Sequence, residues 1–162
     1  MDDAPWFCHY EEGVPRTISY PEITLPEALD QTAARFPDRV ALRFLLDARL
    51  PAPTLTYRQL QDQTLRFATA LFQLGVRKGD RVALMLPNSP QLVVAFYGAM
   101  RIGAIPVNTN PMYVSREMRE QFEDSGCETV VLLDQLYRHL RKIHAATRVR
   151  QMIVVDMAKS LP

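Results

Sequence analysis

Residues 79–117 read GDRVALMLPNSPQLVVAFYGAMRIGAIPVNTNPMYVSRE. A turn at Gly79-Asp80 leads into an apolar run, Val82 to Leu86, of the length of a buried strand. Pro87 stops it, because proline cannot donate to a ladder. Ser89-Pro90 is an N-cap followed by a proline at the first helical position. Leu92 to Ile102 is apolar at almost every helical angle, Arg101 excepted, which predicts a helix buried on most sides. Gly103 ends it, and Ala104 to Asn108 reads as a second strand. Strand, helix and strand with tight connections make a βαβ unit, and hence a parallel sheet.

The alternation extends in both directions. Thr24-Leu25-Pro26-Glu27 is a capping box opening a helix with Ala28, Leu29, Ala33 and Phe36 on its apolar face, ended by Pro37. Val40 to Leu46 is a predicted strand, Asp47 to Pro53 a loop, and Thr54 to Thr56 a pairing partner in a loose hairpin. Thr56 and Gln59 form a second capping box, before a helix whose stripe is Leu60, Phe67, Leu71 and Leu74 and whose terminator is Gly75. Beyond Pro111, Ser115 is the expected cap of a helix to Ser125, with Met118 and Phe122 one turn apart and Gly126 at its end. Thr129 to Leu133 reads as a buried parallel strand. Leu136, Leu140 and Ile143 make the stripe of a further helix, and Met152 to Val155 is one more strand. Before Pro21 the chain is rich in proline, acids and aromatics. Trp6, Phe7, Tyr10 and Tyr20 there suggest an arm that packs on something else.

Several classes fall away on composition. The 162 residues suffice for one ordinary domain, and a net charge of +1 argues against a bulk nucleic-acid binder. Cys8 and Cys127 are far apart, which fits a reducing cytosol rather than a disulfide framework, and Cys8-His9 lacks the spaced partners of a zinc site. Met1-Asp2-Asp3 begins no apolar signal core, and Leu92 to Met100 is too short to span a bilayer. The expected location is cytoplasmic, with peripheral contact at a membrane as the alternative.

Three segments carry a family resemblance. They are Leu55-Thr56-Tyr57-Arg58-Gln59-Leu60; Pro87-Asn88-Ser89 through Arg101-Ile102-Gly103-Ala104 to Asn108-Thr109-Asn110-Pro111-Met112-Tyr113 and Arg116-Glu117; and Gln121-Phe122-Glu123-Asp124-Ser125-Gly126. Together they resemble the long-chain fatty acid–CoA ligases of the adenylate-forming superfamily, with Gln59 where Glu is usual. The resemblance covers nearly the whole chain and less than half of the family's length. It implies a βα-alternating, largely parallel α/β fold, the N-terminal and incomplete portion of the large AMP-binding domain. Residues 1–53 would be arm, helix and strand, and 54–162 the βα-repeating portion. For the full-length enzyme it implies fatty acid, ATP, coenzyme A and magnesium. The family's phosphate loop, its magnesium-placing Glu, its ribose-holding Asp and its catalytic Lys lie downstream. No catalytic, cofactor-binding or metal residue is therefore assigned within 1–162, and the segment alone is expected to bind none of these cofactors and to be inactive.

The residues agree with that assignment. None of the six glycines forms G-x-G-x-x-G, and although Gly98 and Gly103 have the first spacing of a P-loop, Ala104 and Ile105 follow them. The positional candidates are Asn88, Asn108 and Asn110, just after strand ends where ligands of open parallel sheets sit. Their amides either line a crevice or cap helices and fix turns, and the second reading is favoured. Tyr113 and Glu117 match the family pattern and are equally explained as a packed ring and a first-turn acid. Arg138, Arg141 and Lys142, with His139 and His144, form a basic helix face, either solvated or set against anionic lipid, and the solvated reading is favoured. A stand-alone binding or dimerisation module is the rival reading, and self-association of the segment is expected.

Overall fold

The structure, a computed structural model, describes residues 4–45 and 52–156. After a short 3-10 helix, Pro5–His9, come α1 (Leu25–Arg35), β1 (Val40–Arg43), β2 (Thr54–Thr56), α2 (Tyr57–Gln73), β3 (Arg81–Met85) and α3 (Pro90–Arg101). The remainder is β4 (Ile105–Asn108), α4 (Ser115–Ser125), β5 (Thr129–Leu133), α5 (Tyr137–Ile143) and β6 (Gln151–Val155). β1 and β2 pair antiparallel, Leu42 opposite Leu55. The other strands form a parallel sheet in the order β4-β3-β5-β6. The α/β fold expected from the alternation is the one observed. Leu46 to Pro51 and the residues after Asp156, which include parts of the expected strand and loop, lie outside the described residues.

Strand periodicity divides the core into two layers, because successive side chains point to opposite faces. Val82, Leu84, Leu86 and Val131 face Leu71 of α2 and Ala95 and Ala99 of α3. Ala83, Met85, Val130 and Leu132 face Met118 and Phe122 of α4 and Leu140 of α5. Met118 and Phe122 are wholly buried. Burial of such a side chain stabilises the fold by about 1.5–3 kcal/mol.

Both capping boxes form. The backbone N–H of Thr24 donates to Glu27 Oε2 (2.6 Å), and that of Glu27 to Thr24 Oγ1 (3.3 Å). Thr56 N–H donates to Gln59 Oε1 (2.8 Å), so Gln59 serves as well as glutamate. Gly126, at φ 61°, ends α4 in the left-handed conformation. There Arg81 donates from Nε to the Ser125 carbonyl (3.1 Å) and from Nη2 to that of Gly126 (2.7 Å). A cation thus satisfies acceptors that a helix C-terminus leaves without intrahelical partners.

Two expectations need correction. Ser115 is the first residue of α4, not its cap; Val114 holds the cap position, and its N–H donates to Glu117 Oε2 (2.9 Å). Leu74 is exposed, because α2 ends at Gln73 and the chain turns before the stripe returns to the core; Thr64 and Ala68 take up the buried face. α3, by contrast, is covered on most sides as expected, and none of its residues is exposed. Its buried residues are Pro90, Ala95, Gly98 and Ala99, whose small side chains let α2 approach, while Val93, Val94 and Tyr97 are half-buried. In the aromatic arm Trp6, Tyr10 and Tyr20 are exposed, and Phe7 packs its ring against those of Trp6 and Tyr10.

Candidate functional site

A parallel sheet gathers the loops following its strands at one edge, and ligands sit where neighbouring connections diverge. From β3 the chain passes into α3 on one face, and from β5 into α5 on the other. The divergence lies between these adjacent strands. At that edge stand Pro87 to Pro90 after β3, Asn108 to Val114 after β4, and Asp134 to Leu136 after β5.

Local sequence chemistry builds the edge. Ser89 caps α3, accepting from Leu92 N–H (3.3 Å). Thr109 is buried; its N–H donates to the Leu84 carbonyl (3.0 Å) and its hydroxyl to that of Val107 (3.3 Å), which ties the loop after β4 to β3. Asn110 Oδ1 accepts from Met112 N–H (2.9 Å), an Asx turn.

The five candidates therefore divide. Asn110 fixes a turn, Glu117 completes the start of α4, and Tyr113 packs against the second core layer. Asn88 and Asn108 remain exposed at the carboxyl ends of adjacent strands. Asn88 also stands with Ser89 at the mouth of a pocket of about 300 Å³, walled by Leu42 and Phe44 of the hairpin and its extension and by Leu92 and Val93 of α3. No local signal in the sequence announces this pocket, since its walls lie more than forty residues apart. The basic candidates Arg138, His139, Arg141, Lys142 and His144 are all exposed and away from this mouth.

The edge can line and orient a ligand. Its asparagines offer donors and acceptors but no group that ionises near neutrality. The glycines lie elsewhere: Gly75 and Gly79 precede β3, Gly103 precedes β4 and Gly126 precedes β5, all at the amino edge. Gly98 is inside α3 and Gly13 in the arm. No glycine is placed to cradle a phosphate at the carboxyl edge. Among the described residues no three His, Cys, Asp or Glu side chains gather as metal ligands. The residues present do not fit a complete site for ATP and magnesium.

Comparison with known proteins places the chain. The profile of AMP-binding enzymes, described as "AMP-binding enzyme", matches residues 29–162. The chain belongs to the AMP-binding enzyme family. It is 35% identical over all 162 residues to a long-chain-fatty-acid–CoA ligase of Bacillus subtilis, covering 28% of that protein. It is also 35% identical over 158 residues to one of Escherichia coli O157:H7, covering 96% of this chain and 27% of that one. Among solved structures, a long-chain-fatty-acid–CoA ligase from Archaeoglobus fulgidus superposes with a TM-score of 0.81 at 30% identity, over 90% of this chain and 30% of that one. The N-terminal domain of FACL13 from Mycobacterium tuberculosis gives 0.68 at 30% identity, over 85% and 35%. The chain thus spans under a third of the length of the curated relatives it matches. The fold is that of the N-terminal part of this AMP-binding family.

Proposed function

We propose that this chain is the N-terminal portion of the large domain of an ATP-dependent fatty acid–CoA ligase, with 1–53 as arm, helix and hairpin strand and 54–162 as its βα-repeating portion. The whole protein joins a fatty carboxylate to the α-phosphate of ATP and releases pyrophosphate. The thiol of coenzyme A then displaces AMP to give acyl-CoA. The observation that carries this reading is the 35% identity to a long-chain-fatty-acid–CoA ligase along the entire chain. The role of this portion is to build one wall of a crevice. It supplies the β3–β5 divergence and the amides of Asn88 and Asn108 there. The groups that hold triphosphate and magnesium belong to other parts of the protein, so residues 1–162 alone neither bind ATP usefully nor turn over. The two thiols, Cys8 and Cys127, are not joined as a disulfide, in keeping with a cytoplasmic protein.

The test compares residues 1–162 with the protein encoded by the reading frame extended past codon 162. Fatty-acid-dependent release of pyrophosphate, followed by acyl-CoA formation, is expected of the extended protein, and a rate equal to a heat-treated control of the short one. Calorimetry of the short chain with ATP is expected to give no micromolar dissociation constant. An extended protein without fatty-acid dependence, or a stop codon directly after Pro162, would favour a stand-alone module. Turnover by the short chain would overturn its assignment as scaffold.

A further inference from the structure

The loop between β4 and α4 presents one side chain outward. Asn110-Pro111-Met112-Tyr113 is a four-residue turn: the Tyr113 N–H donates to the Asn110 carbonyl (3.1 Å), and the Met112 N–H donates to Asn110 Oδ1 (2.9 Å). Asparagine at the first position and proline at the second are residues that such a turn favours. Both flanks are anchored. Before the turn, Thr109 is buried, and its N–H donates to the Leu84 carbonyl of β3 (3.0 Å). After it, Tyr113 packs against the second core layer, and the Val114 N–H donates to Glu117 Oε2 (2.9 Å). With the backbone pinned on either side, Met112 stands at the tip and is 83% exposed, more than any other large apolar side chain among the described residues.

Methionine differs from other apolar residues in such a place, because its thioether reacts with peroxides. The remaining methionines among the described residues are shielded. Met85 in β3 and Met118 in α4 are wholly buried, in the layer that also holds Phe122. Met100 and Met152 are half-buried, Met152 against that same layer. Attack needs direct contact between sulfur and peroxide. A buried sulfur must wait for the fold to open, whereas Met112 reacts as it stands. The outcomes differ as well. A sulfoxide at Met118 would set an unpaired polar oxygen in the core and loosen the fold. At Met112 the oxygen is solvated, and little packing is lost.

We infer that Met112 is an oxidation site, at which a peroxide converts the thioether to the sulfoxide without disturbing the fold. A sulfur lone pair attacks one peroxide oxygen; an S–O bond forms and the O–O bond breaks. Sulfur gives up two electrons and the peroxide is reduced. The leaving hydroxide takes the proton of the transferred oxygen and departs as water. Two thiols reverse the change, becoming a disulfide as the oxygen leaves as water. Met112 and Val114, the latter 61% exposed, form an apolar tip at the carboxyl edge, in the loop that follows Asn108. Oxidation gives this tip a hydrogen-bond acceptor and so changes what the edge offers a ligand. Exposure and turn geometry carry this site, independently of the ligase reading.

The experiment treats the folded 162-residue chain with hydrogen peroxide, after alkylation of the exposed Cys8, and follows each methionine's sulfoxide by mass spectrometry of its peptide. Met112 is expected to oxidise at least about tenfold faster than Met85 and Met118, and the rates should converge in concentrated urea. Circular dichroism and the urea midpoint should be unchanged once Met112 is converted and Met85 and Met118 are not. Met112→Leu should remove the fast sulfoxide and leave Met85 and Met118 as slow as before. A dithiol-dependent methionine sulfoxide reductase should restore the mass of the oxidised peptide. The protein encoded past codon 162, mapped in the same way, should oxidise at Met112 within about threefold of the short chain's rate. Met112 no faster than Met118 in the folded short chain, unfolding that accompanies its oxidation, or slower oxidation than that in the extended protein would overturn the proposal.

Discussion

Arg101, the last residue of α3, forks its guanidinium onto the carboxylate of Asp30 on α1. Nη1 donates to Oδ2 at 2.9 Å, and Nη2 to Oδ1. Arg101 Nε also donates to Thr64 Oγ1 of α2 (3.1 Å), and Gln61 Nε2 of α2 to Asp30 Oδ1 (2.7 Å). One polar cluster thus fastens three helices on the same face of the sheet. The Arg101 side chain is 10% exposed and that of Asp30 38%. The cation is nearly desolvated, and the anion keeps part of its water.

Removing the cation should therefore cost more than removing the anion's charge. Arg101→Met keeps the alkyl volume but strands Asp30 and leaves Thr64 without its donor. We expect a loss of about 2–3 kcal/mol in urea unfolding, the range for hydrogen bonds to charged groups in a partly buried setting. Asp30→Asn should lose less, because Gln61 and Arg101 retain a neutral acceptor there. The double variant should show a coupling of about 1–2 kcal/mol. Additive effects would mean that the fork contributes nothing to stability.

The same pair sets an acid dependence. Hydrogen bonds from Arg101 hold the Asp30 carboxyl below the usual aspartate range; partial burial opposes them and Gln61 reinforces them. A carboxyl depressed in the folded state contributes stability that is fully present above its unfolded value, about 3.9. That stability declines as the pH falls toward the folded value, because the unfolded chain takes up the proton first. The parent chain should lose stability more steeply than Asp30→Asn below about pH 4. Parallel curves of unfolding free energy against pH would refute the assignment.

Much of this organisation is legible in the residues. Both capping boxes, the βα alternation, the two-layer burial of β3 and the Gly126 terminator follow from local rules of spacing and backbone conformation. What is not legible depends on partners distant in sequence. Arg101 stands out only as the break in an apolar helix, and its partner is 71 positions away. The pocket beside Asn88 arises because the hairpin folds back over α3. Ser115 is a reasonable cap by composition, yet Glu117 reaches the N–H of Val114 and starts the helix one residue earlier in phase. For the exposed arm no local rule distinguishes aromatic rings that stack on one another from rings that pack on the body.

Gly98 tests how closely α2 and α3 approach. A Cβ there would stand 2.8 Å from Phe67 Cδ1 and 3.2 Å from the Thr64 carbonyl oxygen. Alanine regains about 1 kcal/mol of helix propensity over glycine, and overpacking costs typically about 1–3 kcal/mol. Gly98→Ala should thus range from neutral to about 2 kcal/mol less stable. Gly98→Val, with two further methyl groups and a stiff χ1, should exceed it clearly. The measurement is the urea midpoint of each variant. A valine variant as stable as the parent would show that the helices separate at little cost.

The two edges of the parallel sheet are unequally protected. β4 carries Pro106, which removes a backbone donor in the manner usual for edge strands. β6 reads Gln-Met-Ile-Val-Val, without proline or charge. It pairs with β5 on one side and with no strand among the described residues on the other, and its Val154 is 46% exposed. Such an edge is a template for another chain. Elsewhere Leu65, Phe72 and Leu74 are exposed, and Val93, Val94 and Tyr97 of α3 are only half-buried. Each large side chain left uncovered forgoes about 1.5–3 kcal/mol of burial, and a few of them rival the roughly 5–15 kcal/mol that stabilise a small domain. Under the ligase reading, the rest of the protein covers this surface. The 162-residue chain should therefore self-associate, β6 to β6, in a concentration-dependent way. Light scattering across a dilution series should show dimers or larger species dissociating on dilution. Val154→Lys, which adds a charge to the edge without touching the core, should shift that equilibrium toward monomer by at least an order of magnitude. Retained association in this variant would move the contact from β6 to α3. A monomer at every concentration, binding no hydrophobic dye, would show that the chain closes its own core and would favour the stand-alone module.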